Sequence, residues 1–126
     1  MKRPSKTCIL CGREIQWRKK WRNTWHEVRY CSQACRKTGL RDVDKALERL
    51  IMDLLHSRSA DSSLCPSEAA RKYAQNGDEK KWRPLMEPAR RAARRLALKG
   101  KIRILQAGRK VEPTRFKGPI RLKLVK

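Results

Sequence analysis

Apolar and polar positions alternate with a helical period over the middle of the chain. Val43, Leu47, Leu50, Ile51, Leu54 and Leu55 recur at three- and four-residue steps and predict an amphipathic core helix from Arg41 to near His56. The polar run Ser57 to Ser63 follows. Cys65-Pro66-Ser67-Glu68 then starts a second helix, with Pro66 at the first helical position and Glu68 in the first turn. It continues through Ala69, Ala70 and Tyr73 and closes at Asn76-Gly77. In a third helix, steps of about 100° from Leu85 gather Leu85, Met86, Ala89, Ala92, Ala93, Leu96 and Ala97 on one side. Arg83, Arg90, Arg91, Arg94 and Arg95 fall on the other, and Leu98 falls among them without explanation from the pattern. Pro84 suits the start of this helix, whereas Pro88 requires that it still lie in the first turn or bend the axis.

After Gly100 the period changes to two. Ile102 and Ile104 alternate with Lys101 and Arg103, Ala107-Gly108-Arg109-Lys110 reads as a turn, and Val111 to Gly118 as a basic loop. Ile120, Leu122 and Leu124 form the returning strand. Three helices and a β-hairpin make a winged helix, whose third helix can enter a major groove while the hairpin tip touches flanking backbone.

The first forty residues follow neither period clearly. Met1 to Lys6 reads as a basic, mobile lead-in, and Cys8-Ile9-Leu10-Cys11 is answered by Cys31-Ser32-Gln33-Ala34-Cys35. Two close pairs of thiolates can close a tetrahedron around one ion, and four sulfur ligands favour zinc, less often iron. Two disulfides or unrelated thiols are the alternatives, disfavoured by the paired spacing and by the lack of a secretory signal. With Cys8, Cys11, Cys31 and Cys35 all bound, no position is left for water or substrate, so the zinc would be structural. Gly12 supplies the turn of the knuckle. Trp17, Trp21 and Trp25 are spaced for one helix face, but Arg22-Asn23-Thr24 also fits a turn between short strands, and a hairpin is the reading preferred here. A helix starting at Ser32 would put Cys31 and Cys35 about one turn apart. His26 is read as a surface residue and Cys65 as a small buried residue or helix cap.

Composition sharpens the functional reading. The formal net charge is +22 over 126 residues. Residues 1–40 carry 11 basic and 2 acidic side chains, residues 41–81 carry 8 of each, and residues 82–126 carry 15 and 2. A neutral middle between basic ends points to polyanion-binding faces, nucleic acid before membrane. Arginines crowded at Arg90, Arg91, Arg94 and Arg95 with no acidic neighbour in the run repel one another, which favours a phosphate-facing role. The expected contacts are therefore Arg83, Arg90, Arg91, Arg94 and Arg95 on the third helix, with Arg109 and Lys110 at the wing. Trp17, Trp21 and Trp25 either stack on bases beside Arg18, Lys19, Lys20 and Arg22 or form the core of the small module.

Knuckle, hairpin and helix together resemble a treble-clef zinc finger. More closely, Cys8-x-x-Cys11 with Trp17-Arg18-Lys19-Lys20-Trp21, Trp25, Val28 and Tyr30-Cys31-Ser32-x-x-Cys35-Arg36 resembles a short bacterial family of unknown function. The resemblance implies zinc ligation by the four cysteines. Cys65-Pro66-Ser67-Glu68-Ala69-Ala70-Arg71, Trp82-Arg83-x-Leu85-Met86, Arg90, Ala93, Leu96, Gly100 and Gly118-Pro119-Ile120-Arg121-Leu122 resemble a second bacterial family of unknown function, assigned to the winged-helix superfamily. That match implies the fold of residues 42–126 and no activity.

The expected fold class is α+β: a treble-clef-like zinc module over residues 1–38 and a winged helix over residues 41–126. The expected function is nucleic-acid binding in an accessory or regulatory role, DNA before RNA, with docking to another protein as the alternative. No membrane partner or small-molecule substrate is expected, the expected location is cytoplasmic or nucleoid-associated, and catalysis is not expected, since the two histidines and the scattered carboxylates form no recognisable site.

Overall fold

A computed structural model describes residues 4–59, 61–75 and 77–125. The fold is α+β. Strand β1 (Ser5–Thr7) pairs antiparallel with β2 (Glu14–Gln16), Lys6 facing Ile15, so the first hairpin closes around the Cys8–Cys11 knuckle. Part of the expected mobile lead-in is thus a strand, while Met1, Lys2 and Arg3 lie outside the described residues.

The hairpin expected across Arg22-Asn23-Thr24 is absent among the described residues. Lys19–Trp21 and Trp25–Glu27 are single 3-10 turns, joined by Thr24 N–H donating to the Trp21 carbonyl at 2.9 Å. Successive turns bring the Trp21 and Trp25 rings to 5.9 Å between centroids, where both pack on the buried cysteine cluster. Helix α1 (Gln33–Thr38) begins as expected: the Ser32 hydroxyl accepts the Cys35 N–H at 3.2 Å.

Helix α2 (Asp42–His56) opens with Asp44 accepting the Arg41 N–H at 2.8 Å. Helix α3 (Pro66–Ala74) has Cys65 at its cap, where the Cys65 N–H donates to Glu68 Oε2 at 3.1 Å. Gln75, left-handed at φ 54°, ends it; of the expected stop, Asn76 lies outside the described residues. A short helix α4 (Glu79–Trp82) and a 3-10 turn (Arg83–Leu85) precede α5 (Met86–Leu98). The sequence pattern did not anticipate α4. Pro84 lies in the 3-10 turn and Pro88 in the first turn of α5, where a missing N–H breaks no helical bond.

Strands β3 (Ile102–Gln106), β4 (Arg109–Lys110) and β5 (Arg121–Leu124) form a sheet in the order β4-β3-β5. Leu64, between α2 and α3, adds a bridge to Leu122. The tight turn is Ala107-Gly108, with φ of 50° and 79°, so Arg109 and Lys110 sit on a strand and not in the turn. One core joins helices and sheet: Leu47, Ile51, Leu55, Leu64, Leu96, Ile104 and Leu122 are at most 2% exposed. No helix among the described residues is long and apolar enough to cross a membrane.

Candidate metal centre and basic surface

The four expected ligands come from two elements. Cys8 and Cys11 stand on the knuckle between β1 and β2, tightened by Gly12 N–H donating to the Cys8 carbonyl at 2.9 Å and Cys8 N–H to the Arg13 carbonyl at 2.8 Å. Cys31 precedes α1 and Cys35 lies one turn into it. Their Sγ atoms all lie within 4.8 Å of one another. Cys11 and Cys31 sulfurs are 3.4 Å apart, Cys31 and Cys35 3.7 Å. These spacings exceed the ~2.05 Å of a disulfide. They match the ~3.8 Å edge of a tetrahedron with metal–sulfur bonds of ~2.3 Å. The donor set therefore fits a metal ion, with Cys8, Cys11 and Cys35 buried and Cys31 partly so. His26 is exposed beside Glu27 and stands outside the group, as does Cys65.

Crowding couples the thiols. A hydrogen bond from Cys11 lowers Cys8 to about 4 against the opposing effect of burial. The same bond, with burial, pushes Cys11 up, and burial pushes Cys31 up.

The third helix departs most from expectation. Arg94 and Arg95 are 3% and 5% exposed, so neither can reach a phosphate on the surface of this structure. The knuckle covers them. Arg94 Nη1 donates to the Cys11 carbonyl at 3.4 Å, and Arg95 Nη1 donates to the Leu10 carbonyl. Arg95 is further held by Glu48 Oε2 at 3.1 Å and the Asp44 carbonyl at 3.2 Å. Burial lowers the Arg94 pKa, and Glu87 at 3.6 Å opposes that shift.

Arg90 and Arg91 are half-buried. Arg90 donates to the Gly118 carbonyl at 2.9 Å and lies over the Phe116 ring, which also carries Arg94 at 4.5 Å from its centroid. Arg91 meets Glu87 at 3.6 Å. Glu87 is in fact a shared counter-ion, with Arg13 of the knuckle at 3.7 Å and Arg90 at 3.9 Å as well. The arginine run thus has an acidic neighbour one turn earlier. Arg83 is exposed and paired with Glu79. Of the expected contacts, Arg109 and Lys110 are exposed and in no ion pair among the described residues.

Helix α5 therefore packs on both sides, against α2 and α3 on one and against knuckle and wing loop on the other. Arg115 of that loop meets Glu14 of β2 at 2.7 Å, extending the contact. Leu98 lines a crevice with Ser5, Thr7, Glu14 and Arg115 but stays 41% exposed, so no burial explains its place beside the arginines.

Exposed cations outside any ion pair among the described residues include Lys72, Lys101, Arg103 and Lys117 of the second module and a cluster on the cysteine module. Arg18, Lys19, Lys20, Arg22, Arg29, Arg36 and Lys37 are all exposed and form no ion pair among the described residues. Arg18, Lys20, Arg29 and Arg36 border a groove of about 600 Å³ with Trp21, Tyr30 and Ser32 on its walls, and the groove is also lined by one carboxylate, Glu27, and by Cys31. Arg18 and Lys20 lie 5.8 Å and 5.1 Å from the Trp21 ring centroid. Of these cations the sequence pattern singled out Arg18, Lys19, Lys20 and Arg22, as possible companions of stacked tryptophans, and not Arg29, Arg36 or Lys37. What it lacked was the burial of the competing arginines.

An α+β chain with a four-cysteine cluster docked on a helical domain is the class that these observations define. Residues 44–125 match the model of a protein family of unknown function, DUF3253, and the chain belongs to that family. Residues 1–38 match a second model, described as an uncharacterized protein conserved in bacteria, DUF2256. No curated protein matches the chain.

Proposed function

We propose that this is a nucleic-acid-binding accessory protein with a structural zinc centre, whose contact surface is the cationic groove of the cysteine module together with the wing residues Arg109 and Lys110. The observation that carries this reading is the sorting of charge: the arginines of α5 are engaged inside the protein, whereas the four cations bordering the groove form no ion pair among the described residues and outnumber its one carboxylate, Glu27. Unneutralised cations in a groove attract phosphates, and each contact releases counter-ions.

The element order and the Leu64 bridge support a winged-helix reading of residues 41–126. A winged helix that reads duplex DNA offers its third helix to the major groove. Here that face carries the knuckle, which favours a different polymer. Cations interleaved with aromatic side chains suit unpaired bases, which can stack on Trp21 or Tyr30 while their phosphates meet Arg18, Arg29 and Arg36. Single-stranded DNA or RNA is the preferred ligand. Zinc is the favoured metal because four thiolates at tetrahedral spacing suit it.

Binding to single-stranded DNA, single-stranded RNA and duplex DNA across a salt series tests this. Changing Arg18, Arg29 and Arg36 together to Gln should reduce the log-log salt slope for single strands by about 2, at roughly 0.7 per lost contact. Arg109→Gln with Lys110→Gln should reduce it by less, and Arg91→Gln should leave it unchanged. Equal weak binding of all proteins to every polymer would reject the function; tighter binding to duplex would reject the single-strand preference alone.

A further inference from the structure

Residues 10 to 14 form a continuous contact with the helical domain. The Leu10 and Cys11 carbonyls accept from Arg95 and Arg94, Gly12 lies on the Arg94 stem, Arg13 meets Glu87 and Glu14 meets Arg115. The first two carbonyls flank or belong to the metal-ligating Cys11. They fix the peptide planes from which the knuckle turns back towards Cys8.

Charge points the same way. Four thiolates around a divalent ion leave a dianion. Arg94 and Arg95 are buried cations whose guanidinium groups meet the backbone of Cys11 and Leu10. Arg95 has the Glu48 carboxylate in contact, but Arg94 shares Glu87 with three other arginines, at distances beyond a hydrogen bond. A loaded sulfur cluster would add negative charge beside an arginine whose one carboxylate among the described residues is shared.

We infer that α5 completes the metal centre: Arg94 and Arg95 are positioning residues that hold the knuckle and neutralise the loaded cluster, so that retention of the metal depends on the second domain. This rests on the reading of the four cysteines as ligands. The two matched families would then be parts of one centre and not independent units on a common chain.

The test is the rate of zinc transfer from the full-length protein to a chromophoric chelator, with the Co²⁺-substituted protein's absorption as a monitor of tetrahedral sulfur coordination. Arg94→Gln and Arg95→Gln should each release zinc at least tenfold faster, the scale on which outer-shell partners act on metal affinity. Arg94→Lys, which keeps the charge and one donor, should recover part of the loss, and Arg91→Gln should match the parent. Gly12→Ala separates the same surfaces from the knuckle side and should also accelerate release, so a misfolded Arg95 variant leaves the test intact. Release within twofold of the parent for Arg94→Gln and Gly12→Ala would overturn the inference. Failure of the parent to take up zinc or Co²⁺ would instead overturn the ligand reading beneath it.

Discussion

Gly12 rests directly on the aliphatic stem of Arg94: a Cβ built on the glycine would lie 2.5 Å from the Arg94 Cβ, and its φ is 75°. Both the contact and the backbone region exclude a side chain. Gly12→Ala should therefore cost about 1–3 kcal/mol, from overpacking and left-handed strain. Urea denaturation monitored by tryptophan fluorescence would measure it. A loss below a few tenths of a kcal/mol would show that the two modules do not hold this contact in solution.

Among the described residues, Glu87 is the one carboxylate within ion-pair range of Arg13, Arg90, Arg91 and Arg94. Glu87→Gln removes the shared counter-ion and leaves like charges clustered. At its half-exposed position the expected loss is about 1–2 kcal/mol, less than for a fully buried pair. Nucleic-acid affinity at low salt should rise in the same variant, because local positive charge increases. Thermal melts and a low-salt binding titration would check the two directions separately.

The Glu68 carboxyl is held below the usual range, first by its hydrogen bonds from Arg58 and against the opposing effect of burial. A carboxyl with a depressed folded pKa contributes stability that is present above its unfolded value, about 4.3, and is lost as pH falls through the folded one. The stability gap between the parent and Glu68→Gln should thus be constant near neutrality and shrink below about pH 4. Denaturation curves at several pH values would show it. A gap that widens on acidification would contradict the ion pair.

Chelation should act first on the N-terminal module. A segment of under forty residues buries too little surface to fold alone, and structural zinc supplies about 10–16 kcal/mol in apparent terms. Amide protection at Ser5–Thr7 and Gln33–Thr38 should vanish, while Leu47, Ile51 and Leu122 remain protected. Hydrogen exchange with and without chelator would test this, and full protection in the metal-free protein would refute it.

The helices and strands of the second domain were legible because their burial is one-sided and periodic: Leu47, Ile51 and Leu55 mark α2, and Ile102 and Ile104 mark β3. The clustering of the four cysteines was legible from spacing. The short helix α4, the strand position of Arg109 and Lys110, and two larger features were not. Trp17 to Tyr30 folds into 3-10 turns, whose pitch lies between the helical and strand periods and matches neither template. The arginine face of α5 reads as solvent-facing by period alone, since periodicity detects apolar burial and not the coverage of a cationic face by backbone carbonyls. Glu87, four residues before Arg91, was the available sign that these arginines had a partner within the protein.

The hydrogen bonds from Arg94 and Arg95 to the knuckle span 83 and 85 positions of sequence. During synthesis the cysteines therefore leave the ribosome well before the helix that will cover them. At a translation rate of about 5–20 residues per second the interval is several seconds. In that window the α5 side of the knuckle is open, and metal uptake is expected then, although Cys31 borders the surface groove in the finished fold as well. Docking of α5 afterwards is expected to slow exchange from its own side of the knuckle. A time-resolved refolding experiment should accordingly find metal uptake preceding burial of Arg94 and Arg95, with late-added metal incorporated more slowly than metal present from the start.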